Sequence, residues 1–233
     1  MGNLIKFLYP SRCPACNRVM EEDGTYIHYE CRKSFKTIGD PRCFKCGRKL
    51  LDPETDICPE CRKKKHSYEY GLALYEYNDV ARRAMLDFKG QGIKRNGDFF
   101  ASEAVKVLGA VIKRMAPEVL VPVPISSRRL GKRGFNQSEY LAERIGRALD
   151  IPVDADILYR VGGDKEQKRL SGKERARNAQ KSFEAVDDNP YRRICIVDDV
   201  YTTGSTMEGC TKALVSSGAK EVGFVVIFSG EGY

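Results

Sequence analysis

Two adjacent carboxylates, Asp198 and Asp199, are followed closely by Thr202, Thr203, Gly204, Ser205 and Thr206. Small hydroxyl residues around one glycine let successive backbone N–H groups close on a phosphate at a helix N-terminus, and the side-chain hydroxyls add donors. An ordinary loop with a Ser/Thr-rich cap would explain Ser205 or Thr206 alone. It would not explain paired acids on a hydrophobic run followed by five such residues. The elements that must position them are legible on both sides. Ile194, Cys195, Ile196 and Val197 form the short apolar run of a strand buried on both faces, with the two acids where it ends. Met207, Cys210 and Leu214 then recur at helical spacing, Gly218 suits a C-terminal cap, and residues 222–228 read as a second buried strand. The unit is strand, helix, strand, with its ligand site at the carboxyl end of the first strand.

The segment V-D-D-V-Y-T-T-G-S-T resembles the phosphoribosyl pyrophosphate (PRPP) signature of type I phosphoribosyltransferases. The resemblance implies that Asp198 and Asp199 hold the ribose hydroxyls and orient the sugar, with magnesium nearby. It also implies that Thr202, Thr203, Gly204, Ser205 and Thr206 grip the 5′-phosphate.

A second chemistry is written in the cysteines. Seven of the nine fall in the first 61 residues, and Cys13, Cys16, His28 and Cys31 become Cys43, Cys46, Cys58 and Cys61 when each is moved along by 30. This is an internal duplication visible in spacing alone. Each unit is C-x-x-C followed, after eleven residues, by a second pair, His28-x-x-Cys31 or Cys58-x-x-Cys61. Paired thiolates on tight turns meeting a second pair across a short hairpin suit tetrahedral zinc, giving two structural ions. One site would hold three cysteines and a histidine and the other four cysteines, although interleaved pairing uses the same spacings. An uneven cysteine count argues against a disulfide framework, and a redox C-x-x-C would not appear three times. His28 earns its place because it corresponds to Cys58. His66 has no such support and is read as solvent-facing in the basic linker 62–66. Cys195 and Cys210 are read as buried packing residues.

Residues 1–66 therefore read as a double zinc-ribbon-like module and 67–233 as a larger α/β domain. Residues 68–77 suit a strand, 80–88 a helix, 89–92 a glycine-punctuated turn, and 99–115 a helix stopped by Pro117. Residues 120–123 suit another strand. It leads into Ser126, Ser127, Arg128 and Arg129, whose donors and charge suit pyrophosphate, although a solvated basic loop has the same composition. A helix carrying Leu141, Ile145, Ala148 and Leu149 follows, with Ser138 as its cap. Residues 167–178 are strongly basic and read as a surface segment, which the phosphoribosyltransferase resemblance makes a hood over the site.

The chain is long enough for one substantial domain and a small one, and its net charge is +8. No apolar stretch approaches membrane-spanning length, residues 4–9 are too short for a signal-peptide core, and Lys6 stands where myristoylation needs Ser or Thr. The expectation is a cytoplasmic protein without membrane insertion.

In order, the metal units, V-P-V-P with R-G-F-N-Q, Q-x-x-L-x-x-x-x-R-x-x-N and the signature resemble the ComF family of competence-associated, phosphoribosyltransferase-like proteins, and most nearly its ComFC or GntX-type members. The resemblance implies a parallel sheet flanked by helices, PRPP binding, and handling of incoming single-stranded DNA during natural transformation alongside competence and recombination proteins. Two functions of different class follow. One is a PRPP-dependent transferase or sensor of unnamed acceptor, in which magnesium and Arg128 or Arg129 neutralise the leaving pyrophosphate. The other is a DNA-binding accessory protein whose PRPP pocket is regulatory or vestigial, favoured by the positive charge and disfavoured by the lack of tryptophan. A zinc interaction module on an inert domain is a third reading.

Overall fold

The computed structural model describes residues 10–21, 24–161 and 182–230; the apolar patch 4–9 and the basic segment 167–178 lie outside them. After the cysteine units, with a short 3-10 helix at Tyr29–Ser34 and helix α1 at Pro59–Lys63, the chain forms β1 (Gly71–Glu76), α2 (Asp79–Gln91), α3 (Lys94–Arg114), β2 (Val119–Pro122), α4 (Ser127–Arg133) and α5 (Gln137–Leu149). It continues with β3 (Leu158–Arg160), β4 (Phe183–Ala185), β5 (Arg193–Tyr201), α6 (Ser205–Ser216) and β6 (Glu221–Ser229).

Four strands make one parallel sheet in the order β1-β6-β5-β2, and β3 pairs antiparallel with β4 beside it. β5 and β6 lie central, which is why their sequences are nearly unbroken apolar runs. Side chains alternate between two cores. Cys195 and Val197 face α2, α3 and α5, whereas Ile194 and Ile196 face α6 and the β3-β4 pair. Phe88, Phe100 and Phe228 are fully buried in the first core, each contributing about 1.5–3 kcal/mol by leaving water. The two cysteine units divide between these layers. Cys13, Ile27, Cys31 and Phe35 join the first core, and Ile38, Cys43, Cys46, Cys58 and Cys61 join the second.

Three expectations need correction. The turn at 89–92 is helical through Gln91, and Gly92, at φ 68°, ends α2 with its N–H on Asp87. Asp198 and Asp199 lie inside β5 rather than beyond it, since pairing with β6 continues to Tyr201↔Ser229. The cap of α5 is Asn136, whose Oδ1 accepts from the Ser138 N–H at 3.0 Å. That leaves the Ser138 hydroxyl available for a different partner.

Candidate functional site

The cysteine units resolve into two clusters paired sequentially: Cys13, Cys16, His28 and Cys31, then Cys43, Cys46, Cys58 and Cys61, with the ligand atoms of each within 4.8 Å of one another. Zinc–sulfur bonds of about 2.3 Å in a tetrahedron require sulfur–sulfur edges of about 3.8 Å. Cys46 and Cys58 Sγ stand 3.8 Å apart, and Cys16 Sγ stands 3.4 Å from His28 Nδ1. His28 Nε2 lies 3.2 Å from the Val19 carbonyl, which fixes the ring and leaves Nδ1 for the metal. Around the sulfurs, Arg18 Nε donates to Cys16 at 3.4 Å and the Cys58 N–H donates to Cys43 at 3.2 Å, as thiolate ligands require. Both donor sets fit zinc.

The second cluster is built into the signature. Just after it, Ser67 donates through its N–H and its hydroxyl to the Glu208 carboxylate, at 2.9 and 2.7 Å, in the first turn of α6. His66 is drawn in with it and does not face solvent. Its ring stacks on Tyr68 with centroids 4.6 Å apart, and Nδ1 lies 3.8 Å from Glu208 Oε2, the two side chains being 7% and 9% exposed. Burial pushes the Glu208 carboxyl up, but the nearby His66 and hydrogen bonds from Ser67 and Lys212 outweigh it and hold it at about 2. The Tyr68 hydroxyl meets that of Tyr201 at 2.9 Å, and the Tyr201 ring stacks on Phe224.

Tyr201 shapes the turn that follows. Gly204 has φ 78°, and a Cβ there would lie 2.5 Å from the Tyr201 hydroxyl oxygen, so conformation and space both require glycine. Gly204 is the N-cap of α6 and offers no side-chain cap, leaving the first-turn N–H groups to another acceptor. Thr202 and Thr203 are exposed, Ser205 and Thr206 half-buried, and the Thr203 and Ser205 hydroxyls lie 3.0 Å apart.

The two acids stand buried at the head of this turn, Asp198 at 7% and Asp199 at 4% exposed, and both have partners. The Ser138 hydroxyl donates to Asp198 Oδ1 at 2.7 Å, and Lys89, at the end of α2, pairs with Asp199 Oδ2. Burial raises the Asp198 carboxyl to about 6, although the Ser138 hydrogen bond and the charges of Lys89, Arg129 and Arg160 lower it. Burial likewise lowers Lys89 to about 8; Asp198 opposes the shift, while Arg133 and Arg129 reinforce it.

The segment of Ser126, Ser127, Arg128 and Arg129 forms the start of α4. Ser126 is buried and caps that helix, accepting from the Arg129 N–H at 3.4 Å, while Ser127, Arg128 and Arg129 are exposed. Arg129 lies close enough to act on both Asp198 and Lys89. Sequence reasoning missed Lys89, Ser138, Arg133 and Arg160. One signal was available: Lys89 follows buried Met85 by one helical turn, so it occupies the apolar face of α2.

No helix among the described residues is long and apolar enough to cross a membrane. Residues 4–63 match the double zinc ribbon domain family and residues 135–232 the phosphoribosyl transferase domain family. The chain is 33% identical to Competence protein F of Haemophilus influenzae over 91% of its own length and 93% of that protein's. It is 27% identical to Competence protein ComFC of Bacillus subtilis, covering 88% and 89% of the two chains. It is also 28% identical to the DNA utilization protein YhgH of Salmonella typhimurium, covering 77% and 80%. With a double zinc ribbon ahead of a phosphoribosyltransferase domain and this likeness along nearly its whole length, the chain belongs to the ComF family of competence proteins.

Proposed function

We propose that this protein binds PRPP at the carboxyl end of β5 and acts in the cytoplasm in the handling of incoming single-stranded DNA during natural transformation. Asp198 and Asp199 receive the ribose hydroxyls. Thr202, Thr203, Gly204, Ser205 and Thr206 receive the 5′-phosphate at the uncapped start of α6, and Ser127, Arg128 and Arg129 face the pyrophosphate with Ser126 holding their helix in place. Magnesium, if bound with PRPP, would neutralise charge on the leaving pyrophosphate. Residues 1–66 serve as the zinc module and 67–233 as the PRPP-binding domain.

The observation that carries this reading is the charge arrangement at one place: two buried carboxylates at the head of a side-chain-free helix N-terminus, in the field of Lys89, Arg129, Arg133 and Arg160. Cations set beside hydrogen-bond-accepting carboxylates suit a polyanion carrying hydroxyls. A carboxylate has two oxygens with room for several donors, so Ser138 on Asp198 leaves capacity for a ribose hydroxyl. The role in DNA handling is supported by the names of the relatives and by the net charge of +8. No general base stands out, and the acceptor that would attack C1′ is left unassigned.

Calorimetric titration of PRPP with magnesium into the wild type and into Asp198→Asn/Asp199→Asn tests the binding. Saturable binding by the wild type, weakened at least about tenfold in the double variant, is the expected result. Equal binding by both removes the assignment. For the DNA role, single-stranded oligonucleotide affinity should fall steeply with salt, whereas a slope near zero counts against it.

A further inference from the structure

Lys89 leaves α2 from its apolar face and reaches β5, where its ammonium pairs with Asp199; the two side chains are 21% and 6% exposed. Withdrawing both charges from water is expensive, and a surface lysine would avoid it. The position is also unusual for what surrounds it. Lys89 feels the attraction of Asp198 and the repulsion of Arg129 and Arg133. Because α2 packs against α4, it is near both the carboxylate pair and the basic segment.

The reading above puts ribose hydroxyls on the carboxylates, and this inference rests on it. In PRPP the pyrophosphate is attached at C1′, beside the 2′-hydroxyl. A cation touching the carboxylates that take those hydroxyls is thus within one sugar's width of the pyrophosphate oxygens, on the same side as Arg129. We propose that Lys89 is an exchange cation: it neutralises Asp199 before PRPP binds and donates to a pyrophosphate oxygen once the ribose hydroxyls take over the carboxylate oxygens. The exchange leaves Asp199 hydrogen-bonded and Lys89 paired with an anion throughout. It also makes Lys89 a reader of the pyrophosphate, separate from the turn that takes the 5′-phosphate.

Titrating PRPP, inorganic pyrophosphate and ribose 5-phosphate into the wild type, Lys89→Gln and Lys89→Arg tests this. Lys89→Gln should weaken PRPP and pyrophosphate by about tenfold or more while changing ribose 5-phosphate by less than about threefold, as loss of one charge-assisted hydrogen bond predicts. Lys89→Arg should recover most of the lost affinity. Carbon-labelled N-dimethyl-lysine spectra, with the Lys89 signal assigned by its absence from Lys89→Gln, add a second readout: the signal should move with PRPP, which brings both the hydroxyls and the pyrophosphate. Equal loss of all three ligands without rescue by arginine, no loss at all, or a Lys89 signal indifferent to PRPP would each overturn the proposal. A wild type that binds none of the three would contradict the sugar-phosphate reading itself.

Discussion

Tyr68 and Tyr201 meet hydroxyl to hydroxyl at 2.9 Å, both rings buried, so the residue that leads out of the second cysteine cluster touches the residue that ends β5. Tyr201 in turn lies against Gly204. The zinc module is thereby part of the support of the signature turn and not an appendage. Replacing either tyrosine by Phe strands one buried hydroxyl and should cost about 1–2 kcal/mol, whereas the double replacement should cost less than the sum. Urea denaturation of the four proteins measures this; simple additivity would show that the two hydroxyls do not depend on each other.

The two metal clusters should differ in their effect on the site. Only the second packs in the core that contains α6 and Tyr201. Cys58→Ser and Cys16→Ser should each lose one zinc ion, but Cys58→Ser should weaken PRPP binding the more. Zinc content by atomic emission, read beside calorimetry, checks it, and equal effects would contradict it.

Glu208 links Ser67 and His66 to α6, and its loss leaves part-buried donors unpartnered. Glu208→Ala should cost about 1–3 kcal/mol of stability. Its carboxyl is lowered from the ordinary 4.5 to about 2, so its contribution is present above pH 4.5 and is lost as pH falls from there through 2. Denaturation between those limits should show a shallower loss of stability in Glu208→Gln than in the wild type.

Gly204→Ala meets two penalties, a left-handed backbone costing about 1–2 kcal/mol and a Cβ against the Tyr201 hydroxyl. PRPP affinity should fall at least about tenfold with zinc content unchanged. Pairing the substitution with Tyr201→Phe should recover part of it, because the clashing atom is then absent.

PRPP affinity should follow a bell in pH. Asp198, raised to about 6 and facing Ser138, Lys89, Arg129 and Arg160, accepts ribose hydroxyls fully only when ionised, so affinity should rise as pH increases through 6. Lys89, lowered to about 8 and facing Asp199, Asp198, Arg129 and Arg133, loses its proton above 8, and affinity should fall there. The raised Asp198 also makes the folded protein less stable as pH rises from 3.8 through 6, since its buried carboxyl is then forced to ionise. Calorimetry at constant ionic strength across pH 5–9 should show both limbs, and the upper limb should vanish in Lys89→Gln.

Much of this was legible in the sequence because the responsible patterns are local. Strands buried on both faces read as apolar runs, which made β5 and β6 visible, and the 30-residue repeat of ligands put four donors into each cluster. What escaped depends on elements distant in sequence. Ser138 looked like a cap because its neighbours are helical, but Asn136 took that position and freed it for Asp198. Lys89 looked like part of a turn because of the flanking glycines, yet Gly90 stays helical and only Gly92 adopts a left-handed backbone. His66 looked solvated within a charge run, and only the contact of Ser67 with Glu208, 141 residues on, buries it.

A crystal structure of the protein with PRPP and magnesium tests the central claim most directly. The account predicts the 5′-phosphate on the 202–206 turn at the start of α6, ribose hydroxyls on Asp198 and Asp199, and pyrophosphate between Lys89 and Arg129. Density for PRPP elsewhere, with the Lys89–Asp199 pair intact and the turn unliganded, would contradict it.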